Sequence, residues 1–234
     1  MTSGAAPDVP RSVAIIMDGN ARWAREHGVS VAEGHRAGTR ALRRVVETAI
    51  DLGIEALTVY AFSTENWARP DEEVSALMEI FDETIDRELP DLAAEGVRTR
   101  FIGRRDRAPA ELRARMDEME RQTVANDRIG LWIAFDYGGR EEIVEAARRL
   151  VADAVPAERV DERLLHEQMY DPELPDPDLL VRTSGERRIS NFLLWQGAYA
   201  ELVFTDRLWP DFGPDDVREA VEEYSRRRRR FGGR

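Results

Sequence analysis

Short apolar runs alternate with longer stretches of helical periodicity along most of this chain. The runs fall at 13–17, 56–62, 97–102, 129–135 and 179–181, with a further candidate at 202–204. Their length and continuity predict strands buried on both faces. Between them, apolar residues recur at helical spacing over about 35–52, 71–92, 108–124 and 140–154. A last helix is predicted after Pro214, where Asp215 and Asp216 would meet its positive N-terminus. This alternation predicts an α/β fold: a single domain with a central, mostly parallel sheet of about six strands flanked by helices. No repeat and no linker divides the chain. Residues 1–11 are expected to form a flexible N-terminus and 12–234 one domain ending in an Arg-rich tail, with the Pro-rich stretch 171–177 as a loop.

Composition narrows the chemistry. A chain of 234 residues can bury a sizeable core. The net charge of −12 argues against a general nucleic-acid binder and against electrostatic docking on an anionic membrane. All 34 Lys and Arg positions are arginine, so no Schiff base and no Walker-type lysine is available. Without cysteine there is no disulfide framework and no thiol chemistry. His27, His35 and His166 are not at zinc-ligand spacing. No apolar run approaches a membrane span, and the first ten residues lack the regions of a signal peptide. The expectation is a soluble, cytoplasmic protein.

The densest chemistry lies at 14–23, Ala-Ile-Ile-Met-Asp-Gly-Asn-Ala-Arg-Trp. An apolar run stops at Asp18, Gly19 and Asn20 turn the chain, and Arg22 opens a predicted helix. The free N–H groups and dipole of a helix N-terminus favour an anion. Arg22 adds a planar cation suited to phosphate oxygens. Asp18 would repel a bare phosphate, which points to a divalent cation between them. The plainer alternative is a strand–turn–helix corner with an N-cap, and spacing alone leaves both open.

Ligands of parallel sheets bind at the carboxyl ends of strands. Polar motifs recur there: Ser-Thr-Glu-Asn-Trp-Ala-Arg at 63–69, Tyr-Gly-Gly-Arg at 137–140 and Arg-Thr-Ser-Gly-Glu-Arg-Arg-Ile-Ser at 182–190. Arginines and small polar residues at several strand ends point to two phosphate-bearing ligands. A set of surface salt bridges is the alternative in a chain this rich in arginine and acid.

In chain order, the motifs are Met-Asp-Gly-Asn-Ala-Arg-Trp (17–23), Gly-His-Arg-Ala-Gly (34–38), Tyr-Ala-Phe-Ser-Thr-Glu-Asn-Trp-Ala-Arg-Pro (60–70) and Tyr-Gly-Gly-Arg (137–140). Asp-Leu-Leu-Val-Arg-Thr-Ser-Gly-Glu (178–186), Arg-Ile-Ser-Asn-Phe-Leu-Leu-Trp-Gln (188–196) and Trp-Pro-Asp-Phe (209–212) follow. Together, from about residue 12 to the end, they resemble the cis-prenyltransferases, the undecaprenyl diphosphate synthase family. The resemblance implies that family's α/β fold, a homodimer, and Mg2+-dependent condensation of an allylic diphosphate with isopentenyl diphosphate to form a cis double bond. It implies that Gly19, Asn20, Arg22, His35 and Arg69 hold the allylic diphosphate, and Arg182, Arg188 and Ser190 the isopentenyl diphosphate. Ala21, Trp23, Ser63, Thr64, Glu65, Trp67 and Ile189 fall within the same substrate-binding motifs, though Trp23 and Trp67 read equally well as packing. Asp18 and Asn66 take the catalytic positions, and Asp18 and Glu201 match the magnesium-associated acids. Asn66 matches a residue proposed to assist proton removal, but a neutral amide is a very weak base, so positioning or proton relay suits it better. Arg230 and Gly232 resemble the tail that closes over the neighbouring subunit's site. No nucleic acid or transmembrane segment is implied, only a transient membrane contact at product release.

The DDxxD motif of trans-type synthases is absent, and Asp215-Asp216 is better read as cap and dipole partners. Three positions depart from the resemblance: Ala21 replaces a glycine, Val31 a basic residue that helps grip the allylic diphosphate, and Asp136 an asparagine. Arg25 and Arg36 are the candidates to compensate for Val31. Trp132 and Phe135 would shorten the product if they faced a chain-binding tunnel, whereas Trp132 reads better as core. Ala61 leaves room near one tunnel wall; Ile80, Phe81 and Ile85 are candidates to block it further along. Two other functions stay in view: a diverged enzyme doing irregular condensation, rearrangement or cyclisation of a prenyl diphosphate, and a non-catalytic partner subunit of a heteromeric synthase.

Overall fold

The structure, a computed structural model, describes residues 9–227. Its centre is a six-stranded sheet in the order β3-β4-β2-β1-β5-β6, with every neighbouring pair parallel. The strands are β1 (Ser12–Ile16), β2 (Ala56–Ser63), β3 (Val97–Ile102), β4 (Ile129–Tyr137), β5 (Leu179–Arg182) and β6 (Glu201–Phe204). The helices are α1 (Asn20–His27), α2 (Val31–Leu52), α3 (Asp71–Ala94), α4 (Ala110–Thr123), α5 (Gly139–Ala152), α6 (Glu162–His166) and α7 (Pro214–Arg226). The expected architecture, strand count and strand direction are all present.

Helix α2 begins four residues before the predicted 35, because Ser30 and Glu33 form a reciprocal capping box. α3 runs two residues past the predicted 92, through Pro90. The short α6 carries no periodicity long enough to predict. Residues 171–177 form the expected loop. Arg11, at the end of the segment expected to be flexible, is anchored by its backbone N–H to Asp178 and by its guanidinium to Glu55.

The sheet divides two apolar clusters. One holds Ile15, Val45, Val59, Leu131 and Ile133 against α2, α3, α4 and α7. The other holds Ala14, Ile16, Trp132, Ala134 and Phe192. Strand alternation therefore puts Trp132 on the face opposite Ile133, where its Nε1 donates to Asp171 at 2.8 Å. β2 and β4 slip register twice between Tyr60 and Ser63. These irregularities re-aim side chains at the rim of the sheet, and Asp136 sits there at φ 47°, in the left-handed region that Asp and Asn tolerate best.

Candidate functional site

A cavity of about 850 Å³ opens at the carboxyl ends of β1, β2 and β5 and runs between the sheet, α2 and α3. Its mouth is polar. Asp18, Arg22, Arg25, Arg69, Arg182 and Arg188 line it in a chain of net charge −12. Its depth is apolar, lined by Ala61, Leu77, Ile80, Phe81, Ile85 and Ile133 among others. Phe135 lies on the same face but is not part of the lining; it is 1% exposed and stacks on Phe62.

Asp18 is fixed through its backbone. Its N–H donates to Thr183 Oγ1 at 2.9 Å, and that hydroxyl lies 2.7 Å from the Asp18 carbonyl. The Trp209 N–H holds the same carbonyl at 3.0 Å. Gly19 then turns the chain at φ 112°, a conformation a side chain would strain, and α1 follows. The first N–H groups of a helix have no partner within it, and the first residues of α1, Asn20, Ala21 and Arg22, line the cavity. Ala21 lies inside that helix with ordinary φ, so the methyl in place of a glycine is accommodated.

α2 reaches this corner through the Gly-His-Arg-Ala-Gly motif. A Cβ on Gly38 would lie 2.2 Å from Asn20 Oδ1, and one on Gly34 would lie 2.4 Å from the Asn20 carbonyl. Both glycines are therefore required for α2 to seat against α1. The close approach carries His35 into the cavity wall. Burial, and then the positive charge of Arg69, lower the His35 pKa from 6.5 to about 4. The imidazole is neutral at physiological pH, a donor on one nitrogen and an acceptor on the other.

Arg182 is 4% exposed. Its Nη1 donates to the Arg188 carbonyl and Ser190 Oγ, both at 2.6 Å, and its Nη2 donates to Asp18 at 2.9 Å. The loop after β5 holds Ser184, Ser190, Asn191 and Leu193 at positive φ. Such strain persists only where the surroundings enforce it. Here Asn191 supplies the restraint: its carbonyl and side-chain oxygens accept from the N–H groups of Gly139 and Arg140, and its Nδ2 donates to Glu65. Asn20 Oδ1, His35 Nε2 and Arg182 Nε are buried without a hydrogen-bond partner among the described residues. All three belong to cavity-lining residues, as expected of groups that a polar ligand completes.

Ser63 and Asn66 lie at the end of β2. The Ser63 N–H donates to Asn66 Oδ1 at 3.0 Å, and the amide NH2 is the end left to face a ligand, with no hydrogen bond among the described residues. Arg69 lines the mouth and pairs with Glu73 at 2.7 Å.

Other predicted site residues lie elsewhere. Trp67, Trp23, Thr64 and Ile189 do not line the cavity. The Trp67 Nε1 donates to Asp136 at 2.8 Å and its ring lies under the Arg107 guanidinium at 5.0 Å. The buried Asp136 carboxylate also pairs with Arg107, so the departure at 136 is built into a local ion pair. Trp23 stacks on His27 and donates to Asp211. Glu201 opens β6 opposite Leu179, at the amino edge of the sheet, and pairs with Arg227 at 2.9 Å. Asp18 follows Ile16 at the carboxyl edge, so one chain does not bring the two acids together. Arg230 and Gly232 lie outside the described residues. Thr183, Trp209, Gly34 and Gly38 are supports that spacing did not single out as such. Their signal was membership in the motif strings; their partners are set only by the fold.

Val31 is exposed and does not line the cavity. Arg36 is tied to Glu83 at 3.1 Å and is also outside the lining, whereas Arg25 lines the mouth. Among the described residues, no group of three or more His, Asp or Glu side chains could hold a metal by itself. Asp18 offers a single carboxylate, 36% exposed toward a cation-rich mouth. That fits Mg2+, which is usually held by one or two carboxylates together with substrate phosphates.

Comparisons with known proteins agree with this geometry. The family model described as "Putative undecaprenyl diphosphate synthase" matches residues 16–232. An isoprenyl transferase of Thermotoga maritima is 48% identical over 96% of this chain and 97% of its own length. A ditrans,polycis-undecaprenyl-diphosphate synthase, (2E,6E)-farnesyl-diphosphate specific, of Xanthomonas oryzae pv. oryzae is 50% identical over 96% of this chain and 89% of its own. Among solved structures, lavandulyl diphosphate synthase from Lavandula x intermedia, in complex with dimethylallyl diphosphate, superposes with a TM-score of 0.93 at 37% identity, covering 96% of this chain and 98% of that one.

Proposed function

Because the chain belongs to the undecaprenyl diphosphate synthase family of cis-prenyltransferases, we propose that its cavity elongates a farnesyl-sized allylic diphosphate with isopentenyl diphosphate. The activity class is that of a prenyl transferase: the allylic C1–oxygen bond breaks, the terminal alkene carbon of isopentenyl diphosphate bonds to C1, and a proton leaves to form the new cis double bond. The observation that carries the reading is the joining of a cation-rich mouth to a deep apolar cavity. Joining two short isoprenoids would need the mouth but not the depth.

In this reading the α1 N-terminus, Arg22, Arg25, His35 and Arg69 bind the allylic diphosphate. Positive charge fixed there in advance stabilises the negative charge that develops as diphosphate departs. Arg182, Arg188 and Ser190 bind the second diphosphate. Mg2+ would be held by Asp18 and diphosphate oxygens, and it supplies charge neutralisation of the leaving group. Asn66 presents its NH2 and so orients substrate rather than abstracting a proton. The neutral His35 donates a hydrogen bond without adding charge.

A homodimer belongs to the same proposal. The β6 edge of the sheet, with Leu202 and Tyr199 exposed beside it, and Val144 and Val151 exposed on α5, supply apolar surface for a second copy. Glu201, beside that edge, would then serve the metal from a neighbouring subunit rather than its own. No helix among the described residues is long and apolar enough to cross a membrane. A cytoplasmic enzyme that touches the membrane at product release is consistent with this.

The test is incubation with Mg2+ and allylic diphosphates of five, ten and fifteen carbons, with and without isopentenyl diphosphate. Products are identified by mass and double-bond geometry. A linear cis product that requires isopentenyl diphosphate is expected. Product from an allylic diphosphate alone would sink the reading.

A further inference from the structure

The cavity carries a second charged feature far from its mouth. α2 and α3 run side by side away from the carboxyl edge of the sheet, and ion pairs staple the seam between them. Arg36–Glu83 lies nearer the mouth. Deeper, Arg43 reaches Glu47, Glu88, Asp91 and Glu95. Of the two staples, only the deeper one has side chains in the cavity wall, Arg43 and Glu88. The Glu88 side chain is 12% exposed and lies 3.4 Å from Arg43 across the seam, with its other oxygen 2.8 Å from the neighbouring Arg87. Along α2, the eight residues from His35 to Arg43 rise roughly 12 Å. Beyond the pair the lining is apolar again, with Val46 on α2 and Leu92 on α3.

A hydrocarbon chain growing from the mouth therefore meets an ion pair partway down a wall whose other polar lining there is uncharged, Thr39 and Thr84. Pressing that chain against Arg43 and Glu88 removes water from charged groups and offers nothing polar in return. The turn of α3 that carries Glu88 also contains Pro90, which removes one backbone hydrogen bond from it.

We propose that the Arg43–Glu88 pair in the α2–α3 seam sets where chain growth stops, and so determines product length. This rests on the elongation reading above. The pair closes the seam with charge; an apolar replacement extends the greasy wall and admits a further isoprene unit. Glu88→Leu is the primary variant, because it leaves Arg43 with three carboxylates and keeps the seam stapled. Arg36→Ala is the control, since it breaks a pair across the same seam outside the cavity.

Each protein is given Mg2+, a fifteen-carbon allylic diphosphate and isopentenyl diphosphate, and product masses are compared at equal turnover. In Glu88→Leu the ratio of the next-longer product to the wild-type product should rise about tenfold, the scale on which a hydrophobic pocket discriminates one small apolar increment. Arg36→Ala should keep the wild-type distribution. Folding is checked by circular dichroism, and Arg43→Met by the same assay should shift length in the same direction. An unchanged distribution in a folded, active Glu88→Leu protein would overturn the proposal. So would an equal shift in Arg36→Ala, which would make general loosening of α3 the cause. No isopentenyl-dependent product from the wild-type protein would instead overturn the elongation reading, and this proposal with it.

Discussion

At the mouth of the cavity Arg182 is 4% exposed and hydrogen-bonded on both terminal nitrogens, whereas along the α3 wall Arg43 and Arg115 leave 36% and 38% of their side chains in solvent. The two regions use the same residue types for different physical ends. Arg182 is buried and commits its terminal nitrogens to Asp18, Ser190 and the Arg188 carbonyl, so it fixes the geometry around it, while Asp18 itself stays partly open to the mouth. The exposed pairs of Arg36, Arg43 and Arg115 hold α3 to α2 and α4 through contacts that water and salt weaken. A diphosphate site held by a buried cation thus adjoins a wall stapled by partly exposed ion pairs.

Removing the buried cation should have the largest effect. Arg182→Met removes the partner of Asp18 and releases Arg188 and Ser190, so kcat/KM should fall by about three orders of magnitude and stability by about 1.5–3 kcal/mol, the scale of lost charge-assisted hydrogen bonds. Steady-state assays and urea unfolding measure the two. Retention of both would place the rigidity of the mouth elsewhere.

A mouth cation paired with no acid among the described residues should act on binding instead. Arg25→Gln should raise KM for the allylic diphosphate roughly tenfold, the size of a lost charge-assisted hydrogen bond, and leave that for isopentenyl diphosphate unchanged. Adding Val31→Arg to Arg25→Gln should recover most of the loss. An unchanged allylic KM in Arg25→Gln would mean that Arg22 and Arg69 suffice.

His35 sharpens the contrast through pH. Its folded pKa of about 4 lies below the ordinary 6.5, so the unfolded chain takes up a proton that the folded one does not. Stability from this group is present above pH ~6.5 and is lost as pH falls toward 4, by up to about 3 kcal/mol. Urea midpoints across that window should fall more steeply for the wild type than for His35→Gln. An NMR titration that places the imidazole near its ordinary pKa would contradict the burial argument.

The wall should respond least. Arg115→Ala breaks the pairs with Asp82 and Asp86 on α3 and should cost no more than about 1 kcal/mol, shrinking further in high salt. A loss as large as that of Arg182→Met would erase the distinction between the two regions.

The strands and long helices were legible because buried parallel strands and amphipathic helices impose periods that composition cannot hide. The Asp18 corner was legible for a related reason: strand, acid, turn and arginine are consecutive. The boundary of α2 was missed because Ser30 and Glu33 act through a cap rather than through periodicity. Trp132 and Phe135 were ambiguous in sequence, and strand alternation put them on opposite faces. Trp67 was equally ambiguous until Asp136 and Arg107 were seen to claim it.

By itself, then, the sequence determined the layers of the fold, the order of strands along the chain, and the residue types gathered at strand ends, because those follow from local pattern. Only the tertiary structure decided which of those residues share a space. Arg182 meets Asp18 across adjacent strands 164 positions apart. Glu201 is carried to the opposite edge of the sheet, and Arg43 and Glu88 are brought into a wall that the motifs never mention. Such contacts depend on strand register and helix packing, which spacing along the chain does not encode.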